Sequence, residues 1–398
     1  MIDRTEALAL LEKHAGLMEE MHLALPGIDG HVLARDLVAA STVPPADMSA
    51  MDGYAIRFAD LIDGRGGFRV IAETAAGSPS SAPLGPAEAV RVFTGSVMPP
   101  GADHVVIQED VSAGDARIEI RASQERPRNI RRAGVDFCEG DLLIPAGTPL
   151  GPMELGVAAS ANQSGLQVRR KPKIAILANG NELILPGSQA GPASVICSTP
   201  FALVPLIRNW GADADFVGIA EDSEASIRAF IEKCRGADII IPLGGASVGD
   251  HDHMQSAFRA CGLAPVFSKV AIRPGKPTWF GMLGDTRVLG LPGNPASALV
   301  CAILFLKPLI AAMLGVNMPG TGLQAVISTG LAPNGPRETF LRARMVPGAD
   351  AAAHVTPVSN QDTSVLSPFL VANVLIRRAA NAPAVPAGAR VMCIPFKQ

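Results

Sequence analysis

Apolar positions recur at helical spacing near the start of the chain. Leu8, Leu11, Ala15 and Met18 share one face, and Thr5 stands where it caps a helix over residues 6–21. From about residue 41 to residue 139 the period shortens. Runs such as Phe68–Ala72, Ala89–Phe93, His104–Gln108 and Arg117–Arg121 are β-prone and broken by glycine and proline, which predicts a β-rich unit. Glu154–Ala161 reads as another helix, and Lys171-Pro172 marks a boundary. Beyond it, three apolar strands (Ile174–Leu177, Asp238–Leu243, Arg287–Leu291) alternate with helical patterns at Pro200–Trp210, Glu224–Arg235, His253–Cys261 and Ala296–Leu314. That alternation predicts a parallel sheet covered on both faces. The tail, 317–398, returns to strand-like pieces at Phe340–Val346, Val374–Arg377 and Arg390–Ile394, with Ala349–Ala353 and Ala382–Ala389 as loops. The predicted organisation is therefore 1–40 with 140–170, then 41–139, 171–316 and 317–398.

Composition narrows the function classes. A chain of 398 residues exceeds one ordinary core, and an apolar fraction of 48% is ample for burial. The formal net charge of −3 lacks the basic excess of a nucleic-acid footprint, so no nucleic-acid partner is expected. Cys138, Cys197, Cys234, Cys261, Cys301 and Cys393 are scattered with no C-x-x-C pair, a pattern of reduced thiols and of a cytoplasmic protein. The N-terminus carries both charge signs and no apolar signal core. The most apolar run, Ala296–Leu306, falls short of the roughly 20 residues that span a bilayer. It is expected to be a buried helix, and no membrane partner is expected.

Each strand of 171–316 runs into a loop rich in glycine or acid. The first gives Asn179-Gly180-Asn181-Glu182, the second Gly244-Gly245-Ala246-Ser247-Val248-Gly249-Asp250-His251-Asp252, the third Pro292-Gly293-Asn294-Pro295-Ala296-Ser297. Open parallel sheets bind ligands beyond the carboxyl ends of their strands, where these loops gather. Glycine lets backbone N–H groups approach an anion, and Pro295 suits the first turn of a helix whose N–H groups favour phosphate. Glu182, Asp250 and Asp252 supply the hard oxygens that Mg²⁺ takes beside phosphates. Lys269, Arg273 and Lys276 bring three cations to the same rim. Taken singly, each feature also has an ordinary reading as a turn, a helix start or a solvated charge, and His251 and His253 read as part of a solvated loop. Their convergence is what points to a site. No Walker P-loop or G-x-G-x-x-G fingerprint occurs, which disfavours nucleotide hydrolysis of the ordinary kind and dinucleotide redox chemistry.

The β-rich segment adds Ser49-Ala50-Met51-Asp52-Gly53-Tyr54-Ala55, Phe93-Thr94-Gly95-Ser96 and a basic stretch of Arg126, Arg128, Arg131 and Arg132 closed by Asp136. Met51–Ala55, Phe93–Asp103, Asn129–Arg132 with Asp136, Gly244–Asp252, Ile272–Pro277 and Leu291–Ser297 stand in an order that resembles the molybdopterin molybdenumtransferases, over the whole chain.

That resemblance implies a multidomain α/β plus β architecture. It comprises an elongated helical segment, a β-rich insertion, a three-layer αβα parallel-sheet domain like that of the molybdopterin adenylyltransferases, and a C-terminal β-barrel-like domain. It implies a homodimer in which the insertion of one subunit faces the α/β domain of the other. The implied reaction takes adenylylated molybdopterin and molybdate as substrates with Mg²⁺, hydrolyses the adenylate, releases AMP and leaves molybdenum on the pterin dithiolene. Contacts with the upstream adenylyltransferase and with apo-molybdoenzymes follow from the same resemblance. Residue by residue, Asp52, Thr94, Arg131 and Asp136 match functional positions of the insertion. Glu182, Asp252, Lys269 and Lys276 match those of the α/β domain, with Ser247 and Ser297 as hydroxyl donors and Gly244, Gly245, Gly293 and Asn294 lining the anion. Asp252, with Asp250, Glu182 or Asp222, is assigned to Mg²⁺, and Arg273 joins the lysines. In the tail, Arg342 and Ser364 are further anion-site candidates.

The chain departs from the family pattern at several places. Asn179 and Asn181 stand where Thr and Asp are usual, Glu221-Asp222 replaces an Asp pair, Arg273 replaces a lysine, and Asp362 stands in place of a glycine. Asn179, Asn181 and Asp362 motivate an alternative, a non-catalytic pterin-binding or delivery paralogue. An adenylyltransferase acting one step earlier is a third reading, opposed by the extra β domains.

Overall fold

Adjacent residues of the strand Lys173–Asn179 feed opposite cores. Ile174 and Ile176 pack with Leu203, Ile207 and Leu304 on one face, while Ala175 and Leu177 pack with Ile227, Met254 and Phe258 on the other. This period-two division makes the strand the middle of a three-layer sandwich. In the computed structural model, which describes residues 1–64, 66–78, 83–244, 253–316, 322–348 and 352–397, the sheet has six strands. Asp213–Ala220, Lys173–Asn179, Ile239–Leu243 and Thr286–Gly290 are parallel neighbours; Trp279–Leu283 and Ala264–Phe267 extend it antiparallel. The helices Thr199–Asn209 and Pro295–Cys301 cover one face, and Glu224–Lys233 and His253–Ala260 the other. The three apolar strands read from sequence are thus the centre of a larger sheet. Asp213–Ala220 escapes pattern reading because acids and a glycine interrupt it, as an edge strand tolerates.

The apolar helix runs from Pro295 to Leu314, long and apolar enough to cross a bilayer, but 83% of that window is buried inside the fold. It widens to a π turn over Ala302–Leu306, just before Pro308, whose missing N–H cannot continue an α ladder. At the N-terminus the structure corrects the reading: the helix is Arg4–Ala15, not 6–21. Asp3 rather than Thr5 caps it, Gly16 at φ 62° ends it, and Glu20–Ala24 is a strand.

The C-terminal segment closes on itself. Glu338–Pro347, Ala353–Pro357, Leu323–Ile327, Arg390–Pro395 and Val374–Arg378 pair in that order, and the last returns to the first, forming a five-strand barrel. Ala353 opens a strand instead of ending a loop. Ala343, Val355, Val374, Ile376 and Cys393 fill the barrel, while Phe340 and Leu375 point out and join the α/β core.

The chain divides into two compact units: Met1–Arg35 with Ala146–Gly151 and Leu166–Gln398, and Asp36–Pro145 with Pro152–Gly165. The second unit holds a six-stranded sheet ordered His104–Ile107, Gly53–Ile56, Glu88–Val92, Gly67–Thr74, Arg117–Ile120 and Val111–Ala113. Tyr54, Phe68 and Val106 pack on one face, Ala55, Val90 and Val105 on the other.

Candidate functional site

Three strand ends of the α/β domain meet at Asn179, Gly244 and Gly293. A Cβ built on Gly293 would lie 3.3 Å from the Gly244 Cα, and one on Gly244 would lie 3.4 Å from both the backbone carbonyl oxygen and the Oδ1 of Asn179. A side chain on Gly293 would need its neighbour to give by a few tenths of an ångström, and Gly244 sits at φ 91°, a conformation that favours glycine. Gly244 N–H donates to Leu291 O at 3.2 Å, fixing the two ends in register. At the first strand end, Asn179 Nδ2 donates to Asp222 Oδ1 at 3.0 Å, and Asp222 N–H donates to Asn181 Oδ1 at 3.0 Å. Asn179 is 7% exposed, and its Oδ1, turned toward Gly244, has no hydrogen-bond partner among the described residues. A Cβ at Gly180, whose φ is 149°, would collide with the exposed Glu182 carboxylate folded over it. Glu182 and Asp222 therefore offer carboxylate oxygens from adjoining strand ends, a donor chemistry that fits Mg²⁺. Glu182 and Asp222 are two of the four carboxylates that the family resemblance assigns to Mg²⁺. Gly245, Ser247, Asp250 and Asp252 lie outside the described residues.

The cation loop is anchored by the barrel. Ile272–Arg273 pairs in parallel with Glu338–Thr339, and Val270 N–H donates to Lys276 O at 3.0 Å. Lys269, Arg273 and Lys276 are exposed, and none has an ion-pair partner among the described residues. Arg273 and Pro274 line a cavity of about 480 Å³ with Ala296, Arg342, Gln361 and Thr363.

Two assignments made from sequence change here. The N–H groups of the first helical turn are not all free for phosphate, because Ala296 N–H donates to Thr363 O at 2.9 Å. Arg342, a candidate anion ligand by sequence, is buried at 3% exposure. Its guanidinium donates to the carbonyls of Val365 at 2.8 Å, Asn360 at 3.2 Å and Asp362 at 2.8 Å. Burial also lowers its pKa, with the Asp362 carboxylate opposing. Asn294 Nδ2 donates to Thr363 Oγ1 at 2.9 Å, while Ser297 is buried. Ser364 N–H donates to Asp362 Oδ1 at 2.8 Å, so this acid braces its own turn. Thr363 escapes sequence reading, because nothing local marks a loop threonine that bonds a residue 69 positions away.

In the other unit, pairing of Gly53 with Val92 puts Asp52 and Thr94 at the same sheet end. Thr94 N–H and Oγ1–H both donate to Asp52 Oδ1, at 2.7 and 2.8 Å. The backbone donor first, then the hydroxyl, holds the Asp52 carboxyl below the ordinary aspartate range. The Met48–Ser49 strand links this turn to Ile130–Arg131: Gly95 N–H donates to Ser49 O at 2.9 Å, and Met48 pairs with Arg131. Arg131 and Asp136 are exposed. The neighbouring Arg132 is instead committed to Asp47 at 2.5 Å, a contact the basic stretch did not reveal.

Comparison with known proteins finds similarity along nearly the whole chain. Family models match in chain order: the MoeA N-terminal region (domains I and II) over residues 2–162, the probable molybdopterin binding domain over 175–312, and the MoeA C-terminal region (domain IV) over 324–396. A molybdopterin molybdenumtransferase of Haemophilus influenzae is 31% identical over 379 residues, 94% of this chain and 93% of its own. One of Bacillus subtilis is 31% identical over 86% of this chain and 82% of its own. The crystal structure of a molybdopterin biosynthesis MoeA protein from Pyrococcus horikoshii superposes with a TM-score of 0.85 at 26% identity, covering 100% of both chains.

Proposed function

Because the chain belongs to the molybdopterin molybdenumtransferase family, and is an enzyme of molybdenum cofactor biosynthesis, we propose that it inserts molybdenum from molybdate into adenylylated molybdopterin. In this reading water cleaves the phosphoanhydride, AMP leaves, and the metal stays on the pterin dithiolene. The single observation that carries it is the meeting of strand ends at Gly244 and Gly293, with the Asn179–Asp222 pair beside them. A crevice of this kind takes an anionic ester against backbone and small side chains. Glu182 and Asp222 would hold Mg²⁺, which supplies positive charge against the phosphates when bound. Arg273, Lys269 and Lys276 would offset the charge of the phosphoanhydride and of molybdate. In the other unit, the Asp52–Thr94 pair and the exposed Arg131 and Asp136 would be that unit's own substrate contacts. The reading takes the protein as a cytoplasmic homodimer, and sedimentation tests the dimer directly.

The test is single: purified protein with adenylylated molybdopterin, molybdate and Mg²⁺ should release AMP and yield cofactor that activates an apo-molybdoenzyme. Binding of both substrates without AMP would reject it and leave a delivery protein. Asn181 favours that second reading, since an amide and not a carboxylate accepts from Asp222 N–H. If that reading is right, Asn181→Asp should switch AMP release on.

A further inference from the structure

The third strand-end loop is held from the barrel. Thr363 accepts twice from it, through its carbonyl from Ala296 N–H at 2.9 Å and through Oγ1 from Asn294 Nδ2 at 2.9 Å. Thr363 itself belongs to no helix or strand. Its loop is fixed from the strand Glu338–Pro347 by Arg342, whose guanidinium donates to the carbonyls of Asn360, Asp362 and Val365. Gln361 adds a reciprocal pair: Arg342 N–H donates to Gln361 Oε1 at 3.0 Å, and Gln361 Nε2 donates to Arg342 O at 2.8 Å. Among the described residues no carboxylate makes an ion-pair contact with Arg342; its charge rests on carbonyl dipoles, on the Phe369 ring 5.4 Å away and on the field of the Asp362 carboxylate. A cation buried without a contacting counter-ion is costly, and a neutral side chain would avoid that cost.

We propose that Arg342 and Thr363 are positioning residues for the strand-end crevice: Arg342 fixes the barrel loop, and Thr363 in turn fixes Asn294 and the first turn of the Pro295 helix beside Gly293. The inference rests on the crevice being the substrate site. It assigns Arg342 no contact with the anion, and it leaves the exposed Asn294 and Arg273 to meet a ligand on that side.

Hydrogen exchange on the full-length protein needs no ligand and tests the clamp itself. In Arg342→Met, the amides of 296–298 should exchange at least tenfold faster than in the wild type, while those of the Thr199–Asn209 helix keep their rates. Arg342→Lys should not restore them, because an ammonium cannot serve three carbonyls as a planar fork does. Thr363→Val removes only the hydroxyl. It should leave the thermal midpoint in place, since the exposed Asn294 amide turns to water. It should weaken molybdate binding, read by calorimetry, about fivefold, the worth of one neutral hydrogen bond. Thr363→Ser should recover affinity to within twofold, and Asn294→Ala with Thr363→Val should be no weaker than Asn294→Ala alone. Unchanged exchange in Arg342→Met, or multiplying losses in the double variant, would overturn the proposal. Absence of AMP release by the wild type would instead overturn the reaction, leaving the exchange result to decide the clamp.

Discussion

A methyl group at Gly244 is the sharpest probe of the crevice. At φ 91° an L residue is strained, and an alanine forced to positive φ costs about 1–2 kcal/mol. The new Cβ would also lie 3.4 Å from two oxygens of Asn179 and 4.0 Å from the Gly293 Cα, closing the space where the strand ends meet. Two other glycines separate these effects. Gly27, at φ 99° with nothing within 4 Å of a Cβ, has the strain without the crowding. Gly293 has no positive φ but would bring a Cβ to 3.3 Å from Gly244 Cα, so it has the crowding without the strain. Gly244→Ala should therefore lose more stability than Gly27→Ala, by about 1 kcal/mol or a few degrees in thermal midpoint. Gly244→Ala and Gly293→Ala should both weaken molybdate binding at least tenfold, whereas Gly27→Ala should not change it. Thermal unfolding and calorimetry on the three variants decide the matter. Equal affinities across all three would refute the argument that these strand ends form the wall of the site.

Three further expectations rest on single residues. Thr94→Val should raise the Asp52 carboxyl titration, followed by NMR, toward the ordinary aspartate value without reaching it, because the Thr94 N–H still donates; an unmoved midpoint would contradict the pairing. For Asp238, burial pushes the carboxyl up, but the bidentate Arg170 contacts at 2.9 and 3.0 Å and the Lys173 N–H outweigh it and hold the pKa down. A depressed folded value stabilises above the unfolded pKa of about 3.9, and that stability is lost as pH falls through the folded value. Asp238→Asn should thus lose about 2 kcal/mol at pH 7 and flatten the acid limb of the stability curve, and a parallel curve would speak against it. Gly156 lies exposed within the helix Pro152–Ser160 with nothing within 4 Å of a Cβ, so Gly156→Ala should stabilise by about 0.5–1 kcal/mol in urea unfolding.

Period and punctuation determined most of the fold class. The parallel core strands, their helices and the glycine-bearing loops at the strand ends could all be read from local sequence, because each depends on which residues a pleated or helical face can bury. Order along the chain also carried the family resemblance. Other features had no local signature. The edge strand Asp213–Ala220 has its apolar run broken by two acids and a glycine, and the start of the first helix depends on an Asp3 side chain that competes with Thr5. Most of all, only the folded chain shows that Arg342 is spent on three carbonyls and that Thr363 occupies the helix N-terminus reserved, from sequence, for phosphate. Residue type tells what a side chain is able to bond. Which partner it takes, when the partners lie tens of residues apart, is decided by the packing that brings them to about 3 Å, the ordinary hydrogen-bond separation, and no pattern along the chain encodes that distance.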